Sequence, residues 1–382
     1  MGRINVVFWM NMPSHHQTSF FEALHAKEEI DLEVRYYDRV SLDRKKLGWN
    51  VDFNLPSNQQ FVENNDLELA LQSLSDWKER IHIVPGFSHP FLKILLDKLI
   101  VHNVKWIHWS ERSGKPFTKL LNYNYDLINF LMPLYYFFKG YRAHAIKINK
   151  HALGAFAISD LAKRDFIKWG VKEKKIRILN YSLKALNKSE SKPVSNLIEG
   201  DFKLFMYVGV LTPHKGIDLL IEAFSKLKNK HNWMLILIGN DLSKGDYKKS
   251  IQKLNLEKQV LLLGTINSTL INEYIDNCDV FVLPTLFDGW GAVLNEAASL
   301  GKPLISTDQC GSAFHLIEDG MNGFQVKAKS VNELNMAMQY YIDSEDMIVT
   351  HGKHSGIIFN NNIPERNAGL FKSYIFELTK DI

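Results

Sequence analysis

Short apolar runs and longer stretches of helical periodicity alternate along almost the whole of this chain. Residues 3–10, 30–37, 81–84, 104–109, 155–159 and 176–179 read as strands in the first half. In the second half 203–208, 233–239, 260–263, 280–283 and 304–306 do the same. These runs are nearly continuous in Val, Ile, Leu and Phe rather than alternating with polar residues, as expected of strands buried on both faces. Helical spacing is predicted between them, from about 18 to 27, then at 91–101, 160–168, 217–227, 244–255, 268–276, 292–300, 330–342 and 364–379. Strands alternating with helices predict parallel sheets covered on both sides. Residues 40–80 carry no clear period and are predicted to be rich in loop.

A length of 382 residues exceeds what one core usually fills, so two domains are expected. The polar stretch 185–200, containing Pro193, reads as a linker between an amino-terminal domain at 1–184 and a carboxyl-terminal domain at 201–356, with a last segment at 357–382. The apolar and charged fractions, 46% and 23%, are those of an ordinary globular protein. Two cysteines, Cys278 and Cys310, provide neither metal-like spacing nor a disulfide framework. The apolar run near the amino terminus is short and Asn11 interrupts it, and no apolar run reaches the roughly 20 residues of a membrane span. A cytoplasmic protein is the expectation.

Net charge is only +4, but it is unevenly spread. Residues 93–192 hold 20 Lys and Arg against 7 Asp and Glu. Such a surplus suits an anionic partner. Lys115, Lys119, Lys139, Arg142, Lys147 and Lys150 interleave with the aromatic-rich run from Leu127 to Phe138. That mixture fits a headgroup boundary, and equally the packing of a helical hairpin. No nucleic-acid motif accompanies the charge, so nucleic acid is not an expected partner.

The most informative stretch is 281–306, a strand, a loop with Asp288, Gly289 and Gly291, a helix, and then Gly301, Pro303 and another strand. Its glycines lie at the carboxyl end of a parallel strand, where open α/β sheets bind ligands and helix amides attract anions. Asp288 and Glu296 frame the turn as possible acceptors for sugar hydroxyls, or as a helix cap and a solvated charge. The loop from Gly209 to Gly216 places Lys215 beside a helix start, a position suited to a diphosphate.

Asp288-x7-Glu296, followed by Ala-x-x-x-Gly301-x-Pro303, resembles the Glu-x7-Glu signature of retaining family 4 glycosyltransferases. Asp replaces the usual first Glu, and Trp290 stands where Phe is common. Lys215-Gly216 also match, whereas Val210 occupies the usual Arg position, leaving His214 as a substitute cation. The resemblance is close over 150–345 and only outlined before that. It implies the GT-B fold, two Rossmann-like domains facing across a cleft, with 357–382 returning to the amino-terminal domain. It further implies donor contacts from Gly209, Lys215, Gly264, Thr265, Asp288, Gly289, Trp290, Gly291, Ala292, Val293 and Glu296. Ser14, His15 and His16 would lie at the acceptor side of the cleft. Either His108 or Glu111 would approach the donor sugar. For His108 a core or capping role is equally open.

The expected activity is transfer of a hexose-type sugar, with retention, from a nucleotide diphosphate to a glycan hydroxyl, with UDP the leading nucleotide. Bacterial cell-surface polysaccharide or glycolipid assembly is the expected setting. No cofactor is expected and, without an Asp-x-Asp motif in place, no metal. A lipid-linked acceptor and peripheral contact with the inner face of an anionic membrane would account for the basic segment. Two other readings are a sugar-nucleotide-binding protein without transferase activity and a GT-B-type sugar-nucleotide epimerase.

Overall fold

The computed structural model describes residues 3–39, 55–113, 137–191, 193–194, 197–198 and 200–380. The chain divides into two compact units. Of the described residues, one takes those up to Tyr181 together with those from Pro364 onward, and the other takes those from Ser182 to Ile363.

The first unit holds a seven-stranded parallel sheet: β1 (Ile4–Met10), β2 (Ile30–Tyr36), β3 (Gln59–Phe61), β4 (Ile81–Val84), β5 (Trp106–Ser110), β6 (Gly154–Ala157) and β7 (Ile176–Ile178). Their spatial order is β3-β2-β1-β4-β5-β6-β7. Helices α1 (His15–His25), α2 (Leu67–Gln72), α3 (Pro90–Val101), α4 (Ala143–His151) and α5 (Asp160–Trp169) join them. The α5 boundaries follow from its ends: the Ser159 hydroxyl accepts from the Ala162 amide, and Gly170 turns left-handed to stop the helix. Val7, Trp9, Leu95, Leu99, Trp106, Ala155 and Phe166 fill the core on one face of the sheet.

The second unit repeats the design with β8 (Lys203–Val208), β9 (Trp233–Ile238), β10 (Val260–Gly264), β11 (Val280–Leu283), β12 (Leu304–Thr307) and β13 (Gly323–Val326), in the order β10-β9-β8-β11-β12-β13. Its helices are α6 (Ile217–Ser225), α7 (Asp246–Lys253), α8 (Ile271–Asn277), α9 (Val293–Ser299), α10 (Ala313–Leu316), α11 (Val331–Asp343) and α12 (Asp346–Phe359). All strand pairs within both sheets are parallel, as the apolar runs predict. In each sheet the order reverses once, between β1 and β4 and between β8 and β11. The carboxyl end of such a switch point is where doubly wound sheets take ligands.

Several boundaries differ from the sequence reading. The first helix opens at His15, directly after Ser14, whose carbonyl accepts from the Gln17 and Thr18 amides at 2.9 and 3.1 Å. The side chains of His15 and His16 lie outside the described residues, as do Lys115, Lys119 and the run from Leu127 to Pro133. The stretch read as a linker is fastened to the second unit rather than free. Ser189 N donates to Asp276 Oδ2 at 2.7 Å, Asn277 Nδ2 donates to the Ser191 carbonyl at 2.8 Å, and Val194 is fully buried.

The last helix, α13 (Pro364–Thr379), lies where 364–379 is predicted, and the chain re-enters the first unit at Pro364 rather than at 357. Phe371 inserts among Phe8, Phe20 and Phe156 at centroid distances of 5.5, 6.3 and 5.8 Å. Asn367 Nδ2 donates to the Asn180 carbonyl, and Glu377 pairs with Arg177 at 3.0 Å.

Candidate functional site

The chemistry-bearing residues of the second unit collect at its switch point. The chain leaves β8 at Val208, passes Gly209 and makes a single 3-10 turn at Pro213–Lys215 before α6. Leaving β11, it passes Pro284 and reaches Asp288, Trp290 and Gly291 before α9. Because β8 and β11 are hydrogen-bonded neighbours, with Val280 opposite Phe205, two loops distant in sequence emerge side by side.

Two backbone links hold the loops together. The Leu286 amide donates to the His214 carbonyl at 2.8 Å, and the Thr285 hydroxyl donates to the same oxygen at 3.3 Å. Gly216 permits this approach: its φ is +73°, and a Cβ there would lie 2.2 Å from the Pro284 carbonyl oxygen. The result is an ion pair between Lys215 Nζ and Asp288 Oδ2 at 2.5 Å, with both side chains largely buried. The His214 ring meets the Thr212 hydroxyl at 3.0 Å.

Asp288 is itself fixed from behind. Its amide donates to the Gln309 carbonyl at 3.0 Å, and it forms a bridge with Cys310. Cys310 Sγ and the Ser312 amide both donate to the Trp290 carbonyl, at 3.2 and 2.7 Å, and the Ser312 hydroxyl donates to that of Gly291 at 3.1 Å. The Cys310 thiol is pushed up to about 11 by burial and by the nearby Asp288 carboxylate, so it acts as a packing group rather than a nucleophile. Trp290 is buried, its Nε1 donates to Asn295 Oδ1 at 2.9 Å, and its ring lies against His315. Gly291 has φ +83° and no room for a side chain, since a Cβ would fall 2.5 Å from Cys310 Sγ.

Glu296 sits on α9, one residue past Asn295, half-buried. Among the described residues its carboxylate has no cation and no hydrogen-bond donor. Desolvation pushes it up to about 7. A partnerless, partly buried carboxylate is equipped to accept hydrogen bonds from hydroxyl groups. Gly264 ends β10, and its carbonyl accepts from the Gly239 amide at 2.8 Å, while Thr265 is exposed beside it. Ala292 and Val293 open α9 and are half-buried.

Sequence reading gave no role at the site to Tyr207, Asn295, Cys310 or Ser312. Tyr207 is fully buried and donates to the Val210 carbonyl at 3.1 Å, and its hydroxyl feels the Asp288 charge. Tyr207 and Cys310 lie far from Asp288 in sequence, so no local pattern joined them to it.

In the first unit, His108 does not present its ring to solvent. It is 1% exposed on β5, between His144 at 3.2 Å and the Ser110 hydroxyl at 2.8 Å, and packs against Phe166 and Trp169. Burial lowers its pKa to about 3, so it is neutral. Of the two residues proposed for that place, the structure assigns His108 to the core. Glu111 is half-buried just past the end of β5, near Tyr181. At the carboxyl ends of β2 and β3 a polar cavity of about 470 Å³ is lined by Tyr37, Asp38, Arg39, Phe61, Glu63 and Asn64, among others. Arg39 lies over the Phe61 ring at 4.9 Å.

The family described as Glycosyl transferases group 1 matches residues 188–355. An N-acetylgalactosaminyltransferase of Campylobacter jejuni, acting on N-acetylgalactosamine-N,N'-diacetylbacillosaminyl-diphospho-undecaprenol, is 28% identical over 38% of this chain and 39% of its own length. The capsular polysaccharide biosynthesis glycosyltransferase CapM of Staphylococcus aureus is 28% identical over 54% of this chain and 56% of its own. The chain thus spans roughly a third to just over half of the length of the curated relatives it matches. Among solved structures, HepE of Anabaena in complex with UDP superposes with a TM-score of 0.72 at 17% identity, covering 98% of this chain and 100% of that one. The fold is therefore GT-B, two parallel-sheet α/β domains, and residues 188–355 carry the sequence pattern of the group 1 glycosyltransferases.

Proposed function

We propose that this chain is a retaining glycosyltransferase that moves a hexose-type sugar from a nucleotide diphosphate, UDP foremost, to a hydroxyl of a growing glycan. The observation that carries the reading is the meeting of Lys215 and Asp288 at the β8–β11 switch point, with the unpartnered Glu296 on α9, the helix that follows the Asp288 loop. A cation for a diphosphate and two carboxylates for hydroxyl groups are what a nucleotide sugar requires.

In the proposed reaction the bond between the sugar C1 and the β-phosphate oxygen breaks. The acceptor hydroxyl oxygen forms the new bond to C1 on the same face, and its proton leaves with the departing diphosphate. Negative charge grows on the diphosphate in the transition state, and Lys215 with the amides following Gly289 opposes it. Glu296 accepts from the ribose hydroxyls, and Asp288 from those of the sugar. Gly264 and Thr265 lie at the base end. No metal takes part in this scheme.

For the acceptor, the cavity bounded by Asp38, Arg39, Phe61 and Glu63 has the mixed aromatic and hydrogen-bonding character of a polyol site. The Campylobacter relative acts on an undecaprenol diphosphate glycan. A lipid-linked acceptor in bacterial cell-surface assembly, reached by peripheral contact with an anionic membrane at its cytoplasmic face, is the setting we propose.

The test is release of UDP from UDP-sugars in the presence of a lipid-linked glycan, with and without chelator. Turnover is expected to survive the chelator and to drop at least a hundredfold in Asp288→Ala and Glu296→Ala while both proteins stay folded. Full turnover in both variants would refute the site.

A further inference from the structure

Lys215 and Asp288 neutralise each other directly, although in the proposed reaction each faces a different part of the donor. We propose that Asp288 is a specificity determinant: it withholds Lys215 from a bare nucleoside diphosphate and yields it to a nucleotide that brings a sugar. This rests on the donor-site reading above.

The argument follows from what each side chain is left with. Among the described residues Lys215 is the one cation within 4 Å of Asp288, and Asp288 the one carboxylate within 4 Å of Lys215. A diphosphate draws the lysine toward its own oxygens. The Asp288 carboxylate then stands without a cation beside an anionic ligand. Its surroundings give little relief, since its side chain is only 16% exposed and the buried Tyr207 hydroxyl and Cys310 thiol are its neighbours. Leaving a half-buried charge without its partner is unfavourable. A bare nucleotide supplies nothing in return. A nucleotide sugar supplies hydroxyl donors where the lysine was, and hydrogen bonds to a charged acceptor are the strong kind.

The same balance works after transfer. Once the sugar has left, Asp288 regains Lys215 and the diphosphate loses a cation, which favours product departure over retention.

A double-mutant cycle read by calorimetry with UDP as the probe tests this, using the full chain as wild type, Asp288→Asn, Lys215→Gln and the double variant. Asp288→Asn is expected to bind UDP roughly five- to tenfold more tightly than wild type, because its lysine is free in advance. In the Lys215→Gln background the same change is expected to alter affinity by less than about twofold. Asp288→Ser replaces Asp288→Asn if the latter does not fold. Unchanged or weaker UDP binding by Asp288→Asn overturns the proposal. So does a gain that persists undiminished without Lys215, which would mean general charge repulsion. Failure of the donor-site reading looks different: UDP then gives no heat and no shift in melting temperature with any of the four proteins, and both proposals fall.

Discussion

Trp290 Nε1 donates to Asn295 Oδ1 across 2.9 Å, so the loop that carries Asp288 is tied to the helix that carries Glu296. Both residues are buried, and Asn295 Nδ2 has no partner among the described residues. Replacing Trp290 by Phe removes the indole donor and leaves the whole Asn295 amide unpaired in the interior. A loss of about 1–3 kcal/mol in unfolding free energy is expected, together with a weaker apparent affinity for the donor. Adding Asn295→Leu removes the orphaned amide, so the double variant is expected to recover part of the stability. Denaturant unfolding of the three proteins checks the order.

Gly291 offers a sharper test of loop geometry. A methyl group there would approach Cys310 Sγ to 2.5 Å and Leu283 Cδ2 to 3.0 Å, in a left-handed conformation that L-residues avoid. Gly291→Ala is expected to cost about 2–4 kcal/mol, from strain and overpacking together. Gly245 is also left-handed, at φ +90°, but a Cβ there meets nothing within 4 Å. Gly245→Ala is therefore expected to cost about 1 kcal/mol, by backbone strain alone. Equal losses in thermal unfolding would show that the crowding around Gly291 is not what matters.

Glu296 makes stability depend on pH in the direction opposite to an ordinary carboxylate. Its pKa is raised from 4.5 to about 7, so between those values the folded state holds a proton the unfolded state has released. Stability from this group is fully present below about pH 4.5 and is lost as pH rises to 7. Glu296→Gln stays neutral throughout. The variant is expected to be more stable than wild type above pH 7, by about 1–3 kcal/mol, with the difference disappearing near pH 4.5. A melting-temperature series across pH 4.5–8 measures it, and a difference that does not change with pH would contradict the burial of this carboxylate.

Much of the fold was legible because buried parallel strands announce themselves as apolar runs: β8 and β11 coincide with 203–208 and 280–283. What escaped was written in a different physics. Strand β3 is Gln59-Gln60-Phe61, an edge strand paired on one side with Val34–Tyr36 and mostly polar, so it carries no apolar run. Helix α12 contains Gly352 and Gly356, and glycine is a poor helix former. Yet Gly352 lies so close to Gly301 that a Cβ would come within 2.3 Å of the Gly301 carbonyl oxygen, and tertiary packing overrides the low propensity.

At the site, the types of Lys215, Asp288 and Glu296 were readable, and the resemblance put them on one donor, but the direct pairing of Lys215 with Asp288 was not. Residues 215 and 288 are joined only by the pairing of β8 with β11, a long-range relationship that no local pattern encodes. For His108 a core role stood as open as a cleft one. A histidine near the end of a strand looks like chemistry in sequence, whereas its neighbours Phe166, Trp169 and His144 make it part of the interior.

Those interior histidines make the first unit sensitive to acid. His82 is fully buried: Nδ1 accepts from Trp9 Nε1 at 2.9 Å and Nε2 donates to the Trp77 carbonyl at 2.7 Å, so one neutral tautomer satisfies both contacts. Burial lowers its pKa from 6.5 to about 4 and that of His108 to about 3, and His144 is lowered too. In the unfolded chain all three take a proton near 6.5. Their stabilising contribution is therefore complete above that value and is lost as pH falls toward 4. The window overlaps that of Glu296 with opposite sign, so the two units separate in the same titration. Trp9, Trp77, Trp106, Trp109 and Trp169 all belong to the first unit, and tryptophan fluorescence weights its unfolding. Acid titration at fixed denaturant is expected to unfold this unit between about pH 6 and 4. His82→Gln keeps an acceptor for Trp9 and a donor for Trp77 but cannot be protonated in this range. It is expected to flatten the acid limb and leave stability at pH 7.5 within about 1 kcal/mol of wild type. An acid limb as steep as that of wild type would mean that His82 is not among the groups that drive it.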